Sequence, residues 1–483
     1  MALASRVTTH CRPRCLATSR LVSNYCSKNL IQYQSNQQRQ FSHNSSPKTI
    51  QTLAATDAHN GSKNSESASK LRYLETLPTS DLISYLFIGL ATTNRATLNL
   101  VVKLFPYIPM PLIKTFVSKI YCGGDTAGET VVTGKKLAAR GINNMMLSFT
   151  LEDAEGTKNL DINHVVGETI KSIDSILIPH TESVFANIVA NGGIINQAPA
   201  AYIALKPSAL VANPADVMRN WQNPEFKPQW DNLVGNLSKI CQHIYKRNAE
   251  LAAKYPDRTA PALVAVVDAE KFELQQAVYD LQRTLFKKFN PLDKPACVVG
   301  TVQMYLKQSY DIIVNEKKLG QEQGYKVGLK LVRGAYIHSE PDRGVIHDTK
   351  SDTDVNYNRG IKYSIEDLFS GKDATIDHLV IASHNRDSML NATDLLEKYG
   401  KASDLKYRIT LAQLLGMADD ITYDLITNHN VTNIIKYVPW GPPLETKDYL
   451  RRRLEENGDA VRNDNGLPLV KGVLSAIFKR LFK

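Results

Sequence analysis

Ala262-Leu263-Val264-Ala265-Val266-Val267 runs without a polar residue and then meets Asp268-Ala269-Glu270. Six apolar residues in a row, with no alternation, describe a strand buried on both faces, as in a parallel sheet covered by helices. Seven further β-rich runs follow the same grammar: Met145–Thr150, Ala201–Leu205, Ala296–Val302, Val327–Val332, His378–Ala382, Tyr407–Leu411 and Asn433–Val438. Helical stretches fill the intervals, among them Trp230–Lys254, Glu270–Phe289, Tyr305–Glu322 and Asp387–Tyr399. Eight strand–helix repeats predict an α/β chain folded as a (β/α)8 barrel of the TIM type. A doubly wound open sheet is the alternative.

A barrel of this kind keeps its chemistry at the C-terminal ends of its strands. Those ends carry Lys206, Asp268, Gln303, Lys330 with Arg333, Ser383-His384-Asn385, Gln413 and Tyr437. Each has a plain explanation by itself: a surface lysine, a helix cap, a buried histidine. A polar group at nearly every strand end is the pattern of an active site on the rim.

Beyond the last strand, Lys436-Tyr437-Val438-Pro439-Trp440-Gly441 leads into a helix containing Asp448-Tyr449-Leu450-Arg451-Arg452-Arg453-Leu454-Glu455-Glu456. Adjacent arginines on a helix point in different directions. Two can share a ligand only where the helix crosses a pocket mouth, and paired guanidinium forks suit a carboxylate or a phosphate. A solvated basic face is the plainer reading of the run.

The formal net charge of +10 is concentrated at one end. The first fifty residues hold Arg6, Arg12, Arg14, Arg20, Lys28, Arg39 and Lys48, and the first acid is Asp57. The body is nearly balanced, which is not the footprint of a nucleic-acid binder. An Arg- and Ser-rich, acid-free start predicts a mitochondrial transit peptide over 1–41, with Arg39-Gln40-Phe41-Ser42 resembling a matrix-peptidase site. A polar linker over 42–70 and a helical arm over 71–141 precede a barrel domain over 142–466. Residues 467–483 read as an amphipathic basic helix, suited either to a membrane interface or to docking on the fold. No apolar run reaches the roughly 18–20 residues that span a bilayer. Cys122, Cys241 and Cys297 are scattered, without C-x-x-C or H-E-x-x-H, so neither a disulfide framework nor a metal site is expected. Neither G-x-G-x-x-G after a strand nor a P-loop occurs, so any nucleotide cofactor must sit on the barrel rim.

Taken together, Lys330-Leu331-Val332-Arg333-Gly334-Ala335-Tyr336, Ala382-Ser383-His384-Asn385, Gln413-Leu414-Leu415-Gly416-Met417-Ala418-Asp419 and Tyr437 through Asn457 resemble the proline dehydrogenase family, its fungal mitochondrial members above all. The resemblance implies a distorted barrel whose last helix closes over the mouth. It also implies FAD as cofactor, L-proline as substrate, Δ1-pyrroline-5-carboxylate as product and a membrane quinone as acceptor, on the matrix side of the mitochondrion with peripheral contact to the inner membrane. Residue by residue, it makes Arg452 and Arg453 the carboxylate clamp, supported by Lys206 and oriented by Glu456. Asp268, Lys330 and Tyr437 become the catalytic group, and Tyr336 and Leu414 the apolar walls. Gln303, Arg333, Gly334, Ala335, Ser383 and His384 become FAD contacts. Bacterial members carry arginine where this chain has Lys330, and tryptophan where it has Ile337. A flavin-free lyase with Lys206 as Schiff-base nucleophile, or a barrel serving only as a scaffold, remains the competing expectation.

Overall fold

The computed structural model describes residues 72–150, 161–337, 340–400, 403–461 and 466–482. The expected transit peptide over 1–41 and linker over 42–70 lie outside them.

Eight strands close into a barrel in sequence order, every neighbouring pair parallel. They are β1 Asn144–Phe149, β2 Ala201–Leu205, β3 Leu263–Val267, β4 Val298–Gln303, β5 Val327–Val332, β6 Ile376–Ala382, β7 Ile409–Leu414 and β8 Ile434–Trp440. Each falls on one of the eight predicted runs. The last two strands end later than expected: β7 extends to Leu414 and β8 to Trp440. Tyr437 therefore lies inside the last strand, not at its end.

The helices, in chain order, are α1 Thr79–Ala91, α2 Arg95–Leu104, α3 Ala127–Ala138, α4 Ile162–Ser172, α5 Ile178–Ala190, α6 Lys227–Lys254, α7 Phe272–Phe289, α8 Ser309–Gln323, α9 Lys350–Leu368, α10 Arg386–Gly400, α11 Asp419–His429, α12 Pro443–Val461 and α13 Gly466–Leu481. Their ends follow local chemistry. Thr349 and Asp352 form a reciprocal capping box at the start of α9, and α8 ends where Gly324 takes a left-handed conformation.

Strand side chains alternate between the barrel interior and the layer beneath the helices. Met146, Tyr202, Ala204, Val264, Val266, Val299, Val380, Ala412 and Ile435 form the interior cluster. Their neighbours, such as Leu147, Ile203, Ala265, Leu329, Ile381 and Leu411, join the larger core under the helices. Low in the interior, the Tyr202 hydroxyl lies 2.9 Å from His378 Nε2 and 2.8 Å from Thr410 Oγ1. Burial, which outweighs the opposing charge of Asp377, pushes the His378 pKa down to about 3.

A second core joins the arm to the end of the chain. Leu82 and Tyr85 of α1, Phe105, Ile113, Leu450 and Leu454 of α12 and Val473 of α13 are buried together. The two helices α1 and α13 cross closely at Gly89, where an added Cβ would stand 2.9 Å from Val470 Cγ2. Lys479 Nζ reaches Glu75 at 2.5 Å, and Arg480 Nη2 donates to Glu75 O at 2.9 Å. The C-terminal helix is thus docked on the arm through its inner face, while Leu474, Phe478 and Leu481 stay exposed.

Because His378 is neutral in the fold and titrates near 6.5 when unfolded, the unfolded state binds its proton first on acidification. Its contribution to stability is complete above about pH 6.5 and is lost as pH falls towards 3. In denaturant titrations between pH 6.5 and 4.5, His378→Gln should flatten the decline in unfolding free energy by about 1.4 kcal/mol per pH unit. An unchanged slope would show that His378 is not the group being charged.

Candidate active site

The interior alternation carries the polar strand ends to one place. Ser148 of β1, Asp268 after β3, Lys330 of β5 and Tyr437 of β8 share the inward parity, and their side chains meet above the apolar interior. Lys330 Nζ is ion-paired with Asp268 Oδ1. Tyr437 OH lies 3.0 Å from Asp268 Oδ2 and 2.8 Å from Ser148 Oγ. Donating to the carboxylate, the tyrosine accepts from the serine. Lys330 also sits 5.7 Å from the centre of the Tyr437 ring. Both Lys330 and Asp268 are largely withdrawn from water, with side chains 7% and 13% exposed.

Around this group stand the remaining expected residues. Lys206 follows β2 and is half-buried; the backbone N–H of Asp268 donates to Leu205 O beside it. Leu414 ends β7 in register with Tyr437. His384 Nε2 accepts from the Leu414 N–H at 3.1 Å, which leaves the ring proton on Nδ1. Burial, with Lys436 and Arg453 nearby, pushes this histidine down to about 3, so it is neutral. Buried Ser383 accepts from the Asn385 N–H.

Arg333 Nε is held by Asp354 Oδ1 of α9 at 2.5 Å, and Asn385 Nδ2 donates to the same oxygen at 3.1 Å. Gly334 and Ala335 are exposed, and a Cβ added at Gly334 would meet nothing closer than Ile337 at 4.0 Å. Gln303 is tied internally, with Nε2 on Glu270 O and Oε1 facing the Tyr305 hydroxyl. Tyr336 packs on a satellite cluster of Tyr305, Leu306 and Ile346.

The arginine run divides as its helical spacing requires. Arg451 is exposed and pairs loosely with Glu455. Arg452 is half-buried and Arg453 buried. Arg453 lies over the Tyr449 ring, 4.7 Å from its centre, and Nη2 meets Glu456 at 2.5 Å. Its buried Nε has no acceptor among the described residues. A buried guanidinium N–H without a partner is costly, and an anionic ligand would relieve it.

Sequence reading missed the support under this site. Lys436 precedes Tyr437 and so points the other way, into the layer beneath the helices. It is wholly buried, with Nζ 2.6 Å from Asp419 Oδ1, 3.0 Å from Gln413 Oε1 and 2.9 Å from Met417 O. Arg140 reaches the other Asp419 oxygen at 3.2 Å, and Tyr73 donates to it at 2.8 Å. Burial alone would raise the Asp419 pKa; the charges of Lys436 and Arg140 outweigh it and hold the carboxyl well below the usual range. The loop they grip turns at Gly416, φ +74°, where an added Cβ would lie 2.5 Å from Ile120 O of the arm. The one visible signal was a lysine inside the apolar run Ile434-Ile435-Lys436. Ser148 gave no signal beyond its place on β1.

The proline dehydrogenase family profile matches residues 130–465. The chain belongs to the proline dehydrogenase family. It is 28% identical over 388 residues to a probable mitochondrial proline dehydrogenase of Schizosaccharomyces pombe, covering 73% of this chain and 77% of that one. It is 25% identical over 450 residues to mitochondrial proline dehydrogenase 1 of Arabidopsis thaliana, covering 83% of each. Proline utilization A from Bdellovibrio bacteriovorus, solved after inactivation by N-propargylglycine, superposes with a TM-score of 0.60 at 16% identity. That match covers 85% of this chain and 43% of the bacterial one, and it shows the shared fold. The family oxidises proline in the first step of proline catabolism, and its compartment here is the mitochondrion, as for the named relatives. Among the described residues no cluster of His, Cys, Asp or Glu could hold a metal ion.

Removing Lys436 takes the nearest cation from the buried Asp419 carboxylate and leaves it Arg140 and Tyr73. Lys436→Met should lower unfolding free energy by about 3–5 kcal/mol. The Lys436→Met/Asp419→Leu double variant should recover part of the loss in chemical denaturation. Equal stabilities of Lys436→Met and the parent would show the pair to be dispensable.

Proposed function

We propose that this chain performs FAD-dependent oxidation of L-proline to Δ1-pyrroline-5-carboxylate and passes the electrons to a membrane quinone. The observation that carries the reading is Arg453: buried, fixed by Glu456 and Tyr449, and lacking an acceptor for Nε. The carboxylate is the strongest handle on a small, otherwise apolar ring. Arg452, Arg453 and Lys206 are the groups to hold it, with Leu414 and Tyr336 as apolar walls.

The donor set fits FAD. Arg333 carries a guanidinium braced by Asp354, Ser383 a buried hydroxyl and Lys330 a buried ammonium, beside the open backbone at Gly334 and Ala335. Gln303 and neutral His384 complete that side of the rim. When bound, FAD supplies the acceptor for the hydride that leaves the proline carbon next to nitrogen. The protein's part is orientation and charge. The clamp sets the ring's position, and Lys330 keeps a cation at the reacting face. The proline nitrogen must be free of its extra proton before hydride departs. Asp268 is the nearby base, and each of its oxygens retains a lone pair beyond those used by Lys330 and Tyr437.

Purified protein should be yellow and should reduce a dye only when L-proline is added. A colourless protein in which borohydride traps an adduct on Lys206 would instead favour a lyase. Arg452→Met and Arg453→Met should each raise the proline KM by roughly 10- to 100-fold, the loss of one charged hydrogen bond, while flavin absorbance is retained. An unchanged KM in both would remove the carboxylate clamp.

A further inference from the structure

The arm contains a cavity of about 460 Å³ that the reaction does not use. That volume lies within the range of small-ligand sites, roughly 300–1,000 Å³. Its walls include Phe87, Val101, Leu104, Tyr107, Leu112 and Leu454, and the Tyr107 hydroxyl is the one polar side-chain atom among all its lining residues. Ordinary ligand sites place a few polar groups to fix a sugar, a nucleotide or an amino acid. This cavity offers nothing to them and suits an unsubstituted hydrocarbon chain.

The rim says where such a chain comes from. Phe87, Leu104, Tyr107 and Leu112 line the cavity yet are 45%, 48%, 82% and 51% exposed among the described residues. Phe87 belongs to an exposed stripe of α1 with Ile83 and Leu90, spaced one helical turn apart. Helix α13, packed against α1, exposes Leu474, Phe478 and Leu481 at the same spacing. From Gly466 to Lys483 the chain has four cations and no acid. Lys479 is paired with Glu75 and Arg480 donates to arm carbonyls, yet the segment carries no acid of its own, and its apolar and aromatic stripe beside that net positive charge complements an anionic bilayer surface. The inner wall includes Leu454, buried and adjacent to Arg453 on α12.

We propose that the arm cavity holds the isoprenoid tail of a lipid-soluble quinone, entering from a bilayer against which the α1–α2 face rests. This deepens the reading of a membrane quinone as acceptor and rests on it. A tail in the cavity spans from the exposed rim to α12 and so brings the attached ring beside the helix that carries Arg452 and Arg453.

The test uses the full-length flavin-loaded enzyme with three acceptors: a water-soluble dye, a quinone without a tail and the same quinone with two isoprene units. In the parent the tailed quinone should show a KM at least tenfold lower than the tail-less one. Leu112→Trp, which fills the rim, and Leu104→Glu, which charges it, should each erase that preference. Dye reduction, the proline KM and the tail-less quinone KM should not change, which also certifies the fold. A tail preference that survives both substitutions overturns the proposal. So does a preference that appears only after residues 1–70 are removed, since the chain's own N-terminal segment would then be the occupant. Loss of binding to phosphatidylglycerol vesicles with the tail preference intact assigns the face to lipid and overturns the cavity's role. Absence of proline-dependent reduction of every acceptor by the parent overturns the underlying reading as well.

Discussion

The alternation of a β-strand inside a closed barrel governs this protein. Tyr437 points into the barrel and meets Asp268, while Lys436, its neighbour, points outward and meets Asp419. One peptide unit therefore serves two polar networks on opposite sides of the strand. The inner network joins Tyr437 and Asp268 to Lys330 and Ser148. The outer one, with Arg140, Tyr73 and Gln413, ties the arm and the loop after β7 to the barrel wall. A shift of one residue in the register of β8 would exchange the two and destroy both. Closure of the barrel prevents it, because β8 is held by β7 on one side and β1 on the other.

The placement of the last long helices has a related cause. The last helix, α12, does not lie along the barrel wall as a solvated element. Its apolar residues Leu450 and Leu454 join the arm's core, together with α13. That placement turns Arg453 inward beside His384 and leaves Arg451 in water. The arm, the closing helix and the C-terminal helix are thus one packed layer. The same layer carries the exposed apolar residues of α1 and α13.

Much of the architecture was legible. Ala262–Val267 and its seven counterparts identified themselves by continuous apolar runs, because strands buried on both faces need no polar residue until they end. The polar residues at those ends were legible for the same reason, as interruptions. Lys436 was also an interruption, yet its role was not legible, since a sequence does not tell which side of a strand is covered by an arm whose Tyr73 lies more than three hundred residues away in the chain. Ser148 and Asp354 are ordinary polar residues until tertiary contact puts them against Tyr437 and Arg333.

Sequence by itself determined the barrel class, the polar residues at the strand ends, and the family, because each depends on local patterns repeated in order along the chain. Only the tertiary structure decided that Asp268, Lys330, Tyr437 and Ser148 form one connected group, that Tyr336 packs in a separate cluster, and that the basic C-terminal helix lies docked on α1. These outcomes depend on distances between segments far apart in the chain. The packing of buried surfaces sets those distances, and no local pattern encodes them.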